Sequence, residues 1–226
     1  SRIVVDGRKV RLKSASSTDV IVLNKRIGTV STRSDEKGRV TIYTNLPKPP
    51  HGRWISVGRL DINTSGLILM TNNGELANRM MHPSTGLDKE YAVRVSGRLS
   101  DEQLEALRQG FEIGGEQLKF SDIQFFGGTN RNNWYHVVLM DGKNREVRNI
   151  FEYVGFSVSR LKRVRFGPVV LPSSLKVGQH LLLSEEDTQA LCSFFGVVYK
   201  SGATPIKRKS GKSTKSLLIP YPGLDF

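Results

Sequence analysis

The chain has 226 residues, enough for one substantial core or two smaller ones, and its 34 Lys and Arg against 21 Asp and Glu leave a formal charge of +13. That balance favours a polyanionic partner such as nucleic acid, without separating RNA from DNA or an enzyme from a passive binder. With no apolar run near the roughly 20 residues of a membrane span, no signal-like start, a single cysteine (Cys192) and four histidines without ligand spacing, the reading is a soluble cytoplasmic protein with no membrane partner, no metal and no cofactor.

In chain order, a strand-like opening at residues 2–10 begins at Ser1 without a methionine, which reads as the trailing part of something upstream. Strands are then expected at 20–23, 66–71, 91–95, 134–140, 160–166 and 180–183. A helix over 72–81 opens with Asn72 as cap and Glu75 as its partner, places Leu76, Ala77, Met80 and Met81 on one face, and stops at Pro83. Ser100 with Gln103 forms a capping box for a helix that buries Leu104 and Leu107 and ends at Gly110. Val147, Ile150, Phe151 and Val154 form a helical stripe that Gly155 ends, and Ser184 with Asp187 starts a last helix carrying Leu191, Phe194 and Phe195. Cys192 lies in this apolar run and reads as a packed core thiol. The order fits an α+β fold, a mainly antiparallel mixed sheet with helices packed against it. Beyond Gly196 the composition turns to Ser, Gly and Lys, with Lys207, Arg208, Lys209, Lys212 and Lys215 against Asp225 alone, so residues 201–226 read as a basic, flexible tail.

Asp61 is a lone acid in a polar loop just ahead of the apolar strand near Gly66. Beside a buried strand such a charge requires hydrogen bonds or a cation, and an ordinary turn with Asn63 and Thr64 would satisfy it. The surrounding pattern points further. Gly58-Arg59-Leu60-Asp61, followed by Thr64, Gly66, four aliphatic residues, Thr71 and Asn72, resembles the signature of the pseudouridine synthases typified by small-subunit synthase A. Asn73-Gly74-Glu75-Leu76-Ala77-Asn78-Arg79, His82-Pro83, Lys89-Glu90-Tyr91-Ala92-Val93 and Gly142-Lys143-Asn144-Arg145-Glu146-Val147-Arg148 agree in order and spacing, and the resemblance runs from about residue 2 to about residue 197. Gly52-Arg53-Trp54-Ile55, Asn133-Trp134-Tyr135 and Val158-Ser159-Arg160-Leu161 place the chain nearer the branch acting on the large subunit. One departure is Lys25-Arg26-Ile27-Gly28, where many relatives have Lys-Pro before the Gly.

The resemblance implies a pseudouridine synthase catalytic fold over 15–200. Residues 1–14 would be the edge of, or linker from, an S4-type RNA-binding module. It also implies a monomeric isomerase of uridine in ribosomal RNA, most directly large-subunit (23S) RNA or a ribosomal precursor particle. Asp61 matches the essential aspartate, Arg148 the cation that pairs with it, and Tyr91 the tyrosine that lies against uracil. Arg59 matches the residue that fills the space left by a flipped base, and Val147 gives apolar packing to the same ring. Lys89, Lys143, Asn144 and Arg145 belong to the matching RNA-facing segments. From the residues alone Arg59 suits a surface ion pair equally well, Tyr91 suits a core, and Arg148 suits a solvated helix face. Arg160, Arg163 and Arg165 are expected to form a basic ribbon, with Arg163 and Arg165 on one strand face, for phosphate contacts or as a charged protective edge. The rival reading is a noncatalytic RNA-binding or ribosome-assembly protein, which needs the charge but not Asp61.

Overall fold

The computed structural model describes residues 17–129, 131–140, 142–143, 145–201 and 215–224, and the backbone of two short paired strands, β1 (Ile3–Val5) and β2 (Arg8–Val10). Thereafter the elements are β3 (Val20–Lys25), β4 (Ile55–Val57), β5 (Ser65–Thr71), α1 (Gly74–Met81), β6 (Lys89–Ser96) and α2 (Asp101–Gln109). The hairpin β7 (Phe111–Ile113) and β8 (Glu116–Leu118) leads to β9 (Asp122–Gly128), β10 (Asn132–Leu139) and α3 (Glu146–Tyr153). β11 (Val158–Phe166), β12 (Val169–Val170), β13 (His180–Leu182) and α4 (Glu185–Phe194) follow.

Nine strands form one mixed sheet in the order β13-β3-β5-β11-β6-β10-β9, with β4 also paired to β5 and β12 to β11. Every pairing in it is antiparallel except β5 with β11, so the expected α+β class and its mainly antiparallel mixed sheet are what the chain adopts. The parallel seam needs Gly66. Its φ is +103°, and a Cβ there would overlap the backbone of Arg163 on β11.

Strands β3 and β5 are buried on both faces, which is why they read as nearly unbroken aliphatic runs. Ile21, Leu23, Ile68 and Met70 face a core shared with Tyr91, Val93, Tyr135 and Val137 of the sheet, Leu107 of α2, and Val147, Ile150 and Phe151 of α3. Val20, Val22, Leu67 and Leu69 face the other core, filled by Leu76, Ala77 and Met80 of α1 and Leu191 and Cys192 of α4. Cys192 is fully enclosed there, and burial pushes its thiol up to about 11, as befits a packing residue rather than a nucleophile.

The capping box of α2 forms as expected, and Ser184 accepts from Asp187 N at the start of α4. Three expectations need correction. The cap of α1 is Asn73, one residue later than expected. Asn72 instead accepts from Asp19 N at 2.8 Å and donates to the Asp19 carboxylate at 3.0 Å, so a long-range partner removes it from the helix. Arg163 and Arg165 do not share a solvent face. The pairing of β11 with β6 shifts between them, turning Arg163 inward (3% exposed), where Nε donates to Leu67 O, while Arg165 grips Asp88 at 2.7 Å and Glu90 at 3.0 Å. Finally, residues 215–224, read as part of a flexible tail, are docked on the body. Leu218 bridges to Val169, Leu218 and Leu224 are buried, Leu217 N and Ser216 Oγ donate to Asp187, and the Tyr221 hydroxyl donates to Asp88. The lysine-rich stretch 202–214 lies outside the described residues.

Candidate active site

Residues 58–64 connect β4 to β5, and the surrounding chain holds them mainly through backbone groups. Ser31 Oγ donates to Leu60 O at 2.9 Å and accepts from Leu60 N at 3.2 Å. Gly28 N donates to Ile62 O at 2.9 Å, and Thr64 N closes a turn onto Asp61 O at 3.0 Å. From beneath, the Lys25 ammonium at the end of β3 reaches four carbonyls, those of Arg26 (3.2 Å), Asp61 (3.1 Å), Ile62 (3.5 Å) and Thr64 (2.8 Å). Lys25 is only 1% exposed, and burial pushes its amine down to about 8, against the attraction of Asp61. Arg148 of α3 completes the clamp, donating through one nitrogen to Asn63 O and through another to Val158 O, both at 3.0 Å.

The expected turn at Asp61 thus exists, but the backbone makes it. Among the described residues the Asp61 side chain takes no hydrogen bond and no ion pair, and the residue is exposed. No contact pair with Arg148 forms. Burial pushes the Arg148 guanidinium below its ordinary value and the like charge of Arg145 adds to this, while Asp61 and Glu152 oppose it, so Asp61 and Arg148 feel each other only through space. The physical reason is that a solvated carboxylate does not require a touching cation. The two loop-facing cations serve the backbone around Asp61 instead.

Asp61 opens onto a cleft of about 560 Å³ whose walls include Arg59, Tyr91, Lys143, Arg145 and Val147. Tyr91 comes from β6 and is 8% exposed; its hydroxyl has no hydrogen-bond partner among the described residues. Val147, on the first turn of α3, is buried beside it. Arg59 is exposed and has no partner among the described residues. Lys143 leans on Glu116 at 3.2 Å. Arg145, immediately before α3, is the single described non-glycine residue with positive φ (54°), a strained conformation of the kind that functional sites hold.

Six of the expected site residues therefore line one cleft, and Arg148 lies behind it. Lys89 does not line it, since its ammonium donates to Met140 O and sits 5.6 Å from the Phe166 ring. Arg160 is exposed on β11 opposite Arg94, outside the cleft, and Arg163 and Arg165 are occupied as described above. Asn144 lies outside the described residues. The sequence reading missed Lys25 and Ser31. A lysine ending the run Val20–Lys25 was the available signal for the first; the second is a small polar residue in a loop and offered none. Among the described residues, no three His, Cys, Asp or Glu side chains gather as metal ligands, and no helix is long and apolar enough to cross a membrane.

The family described as RNA pseudouridylate synthase matches residues 19–153. Ribosomal large subunit pseudouridine synthase B of Pseudomonas aeruginosa is 50% identical over 198 residues, 86% of this chain and 51% of that protein. The protein of the same name from Escherichia coli K12 is 45% identical over 179 residues, 78% of this chain and 62% of that one. The chain thus spans about half the length of the curated relatives it matches. A crystal structure described as a pseudouridylate synthase superposes with a TM-score of 0.67 at 27% identity, over 80% of this chain and 76% of that one. Since the family match runs through β3, the Asp61 loop, Tyr91 and the Arg148 helix, the chain belongs to the RNA pseudouridylate synthase family.

Proposed function

We propose that this chain converts uridine to pseudouridine in ribosomal RNA of the large subunit, free or in a precursor particle, acting in the cytoplasm as a monomer with Asp61 as the reacting carboxylate. The base leaves the ribose at N1, turns and rejoins through C5. The C5 proton passes to solvent and N1 takes one up, so the reaction is an isomerisation that needs no co-substrate and no cofactor. Attack on the sugar, attack on the base and removal of a ribose proton all require a carboxylate free at the cleft.

The observation that carries this reading is the state of Asp61: a solvent-facing, unpaired carboxylate on a loop pinned by its backbone, in one cleft with an aromatic ring and a basic rim. A flipped uracil fits between the Tyr91 side and Val147, where stacking and apolar contact favour it over water. Extrusion costs a few kcal/mol, and in this reading Arg59, an exposed residue of the cleft wall, fills the gap it leaves. The names of the relatives support the large subunit as source of the RNA.

The test is release of tritium from a C5-labelled uridine in a large-subunit RNA fragment. Wild type should release the label without cutting the chain, and Asp61→Asn should release none over many wild-type half-lives while binding the RNA as tightly or more so. A noncatalytic RNA-binding protein would bind without any release. Substantial turnover by Asp61→Asn would remove Asp61 from the chemistry.

A further inference from the structure

A second groove, of about 380 Å³, adjoins the catalytic cleft and shares Ser31 and Arg59 with it. Its other walls include Arg33, Tyr43, Arg53 and Met81, and none of its lining residues is acidic. Three guanidinium groups without a carboxylate among them repel one another unless an anion joins them. The chain neutralises arginines elsewhere: Arg39 is held by Asp35 at 2.6 Å, and Arg165 by two acids. Arg53 and Arg59, by contrast, are exposed and have no partner among the described residues.

The third arginine is organised differently. Arg33 lies over the Tyr43 ring, 4.6 Å from its centroid, and donates to the Trp54 carbonyl. Trp54 is buried, and its indole nitrogen donates to Pro47 O at 2.6 Å, so the platform rests on fixed ground. A planar guanidinium held over a tyrosine ring and exposed to solvent is a surface for stacking, and a base is the planar partner that comes with a phosphate for the neighbouring arginines. Met81, 44% exposed at the end of α1, gives a polarisable apolar wall.

From this combination we propose that the groove is a subsite for a single-stranded nucleotide adjoining the target uridine. Arg53 holds its phosphate, the Arg33–Tyr43 platform stacks its base, and Arg59 stands where this groove meets the cleft. The proposal rests on the function given above, and deepens it by assigning a path for the RNA on one side of the cleft. Because stacking is tolerant of base identity, the subsite adds affinity and sets the register of the strand more than it reads sequence.

The experiment compares wild type with Arg53→Ala and Arg53→Glu. Arg53 is suited to it because the side chain is exposed and supports nothing else among the described residues. Fluorescence anisotropy gives RNA affinity across a salt series, and single-turnover tritium release gives the half-saturating RNA concentration and the limiting rate. For Arg53→Ala we expect affinity to fall about 10-fold and the salt slope to drop by about one, with a larger loss for Arg53→Glu and the effect on half-saturation far exceeding that on limiting rate. RNA fragments cut back to the target uridine from the 5′ or the 3′ side supply the second arm. On one of them wild type should lose a similar factor and Arg53→Ala should lose little more, because the subsite is already empty. Wild-type affinity in Arg53→Glu, or an undiminished Arg53→Ala penalty on both shortened fragments, would overturn the proposal. If wild type released no tritium from any fragment, the isomerase reading would fall, while anisotropy would still decide whether the groove holds RNA.

Discussion

At Asp61 two buried cations hold the loop in place and leave the carboxylate alone, which separates the roles of Arg148 and Lys25. Arg148 ties the carbonyls of Asn63 and Val158 together with one planar fork, so its removal frees the loop from α3 and β11 at once. Arg148→Ala should lower stability by about 2–3 kcal/mol, the scale of hydrogen bonds from a charged donor. It should slow single-turnover release at least 100-fold, because small misplacements of a reacting group carry costs of that order. Arg148→Lys retains the charge near Asp61 but cannot span both carbonyls, so it should recover stability more than rate. Thermal unfolding beside tritium release separates the two, and a near-normal rate for Arg148→Ala would remove the clamp from the mechanism. For Lys25 the pH dependence is the diagnostic. Its folded value of about 8 lies below the ordinary 10.5, so between these two the unfolded chain holds the proton that the folded chain has released. The contribution of this group to stability therefore rises with pH across that window, as the penalty for burying the charge is relieved. Its hold on the loop carbonyls has the opposite dependence, since a neutral amine is a poorer donor. Asp61 is the charge that faces it across the loop, while Arg26 and His180 line the far side with it. The release rate should fall above about pH 8 without a matching fall in thermal stability, and Lys25→Met should be slower at neutral pH and lack that limb. An unchanged alkaline limb in Lys25→Met would assign it to another group. That Asp61, Tyr91 and Val147 belong together in one cleft was legible because a long motif fixes their order. The backbone role of the cations was not, because a carbonyl acceptor leaves no trace in residue identity.

Elements with a strong period were legible from the chain. β3, β5, β6, β10, α2 and α4 fall where alternation, aliphatic runs and capping residues put them. β9 was missed because its sequence does not alternate and ends in two glycines, as an edge strand can. The misreading of Arg163 and Arg165 has one cause, a slip of pairing between them, since a one-residue shift sends side chains to the opposite face. In the segment 215–224 the apolar residues Leu217, Leu218, Tyr221 and Leu224 follow directly on a lysine-rich stretch whose composition masks them. The docking of this segment predicts that deletion of 215–226 is costly. Two buried leucines at roughly 1.5–3 kcal/mol each would be lost, and the buried Asp187 would lose both donors from this segment. A destabilisation of about 4 kcal/mol or more should follow, lowering the unfolding temperature by roughly 10 °C, and Leu218→Ala alone should cost about 2–4 kcal/mol. Unfolding of the truncated chain at the wild-type temperature would show that the segment rests on the surface without supporting it.

Across the whole molecule, the excess of positive charge is distributed by use. Arg165 is spent on Asp88 and Glu90, Arg39 on Asp35, and Lys25 and Arg148 on carbonyls. Arg53 and Arg59 stand open along the two adjoining clefts, and Lys143 and Arg145, at the rim, carry only peripheral ion pairs. In the proposed complex such a surface would gain RNA affinity largely by releasing counterions from phosphates. If about four to six phosphates are neutralised, the logarithm of the association constant should fall with the logarithm of salt at a slope of roughly −3 to −4, or about 100-fold between 50 and 200 mM. The limiting single-turnover rate should change little over the same range, because in the proposed reaction the step from flipped uridine to product occurs inside the complex and exchanges no net charge with the bulk. Asp61→Asn should leave the slope as it is, since it removes an anion and not a phosphate contact. Anisotropy and tritium release on the same RNA measure both quantities. A slope shallower than about −1 would mean that the open arginines do not meet the backbone. A limiting rate that fell in step with affinity would mean that salt acts on the chemistry at Asp61, and not on the capture of the strand.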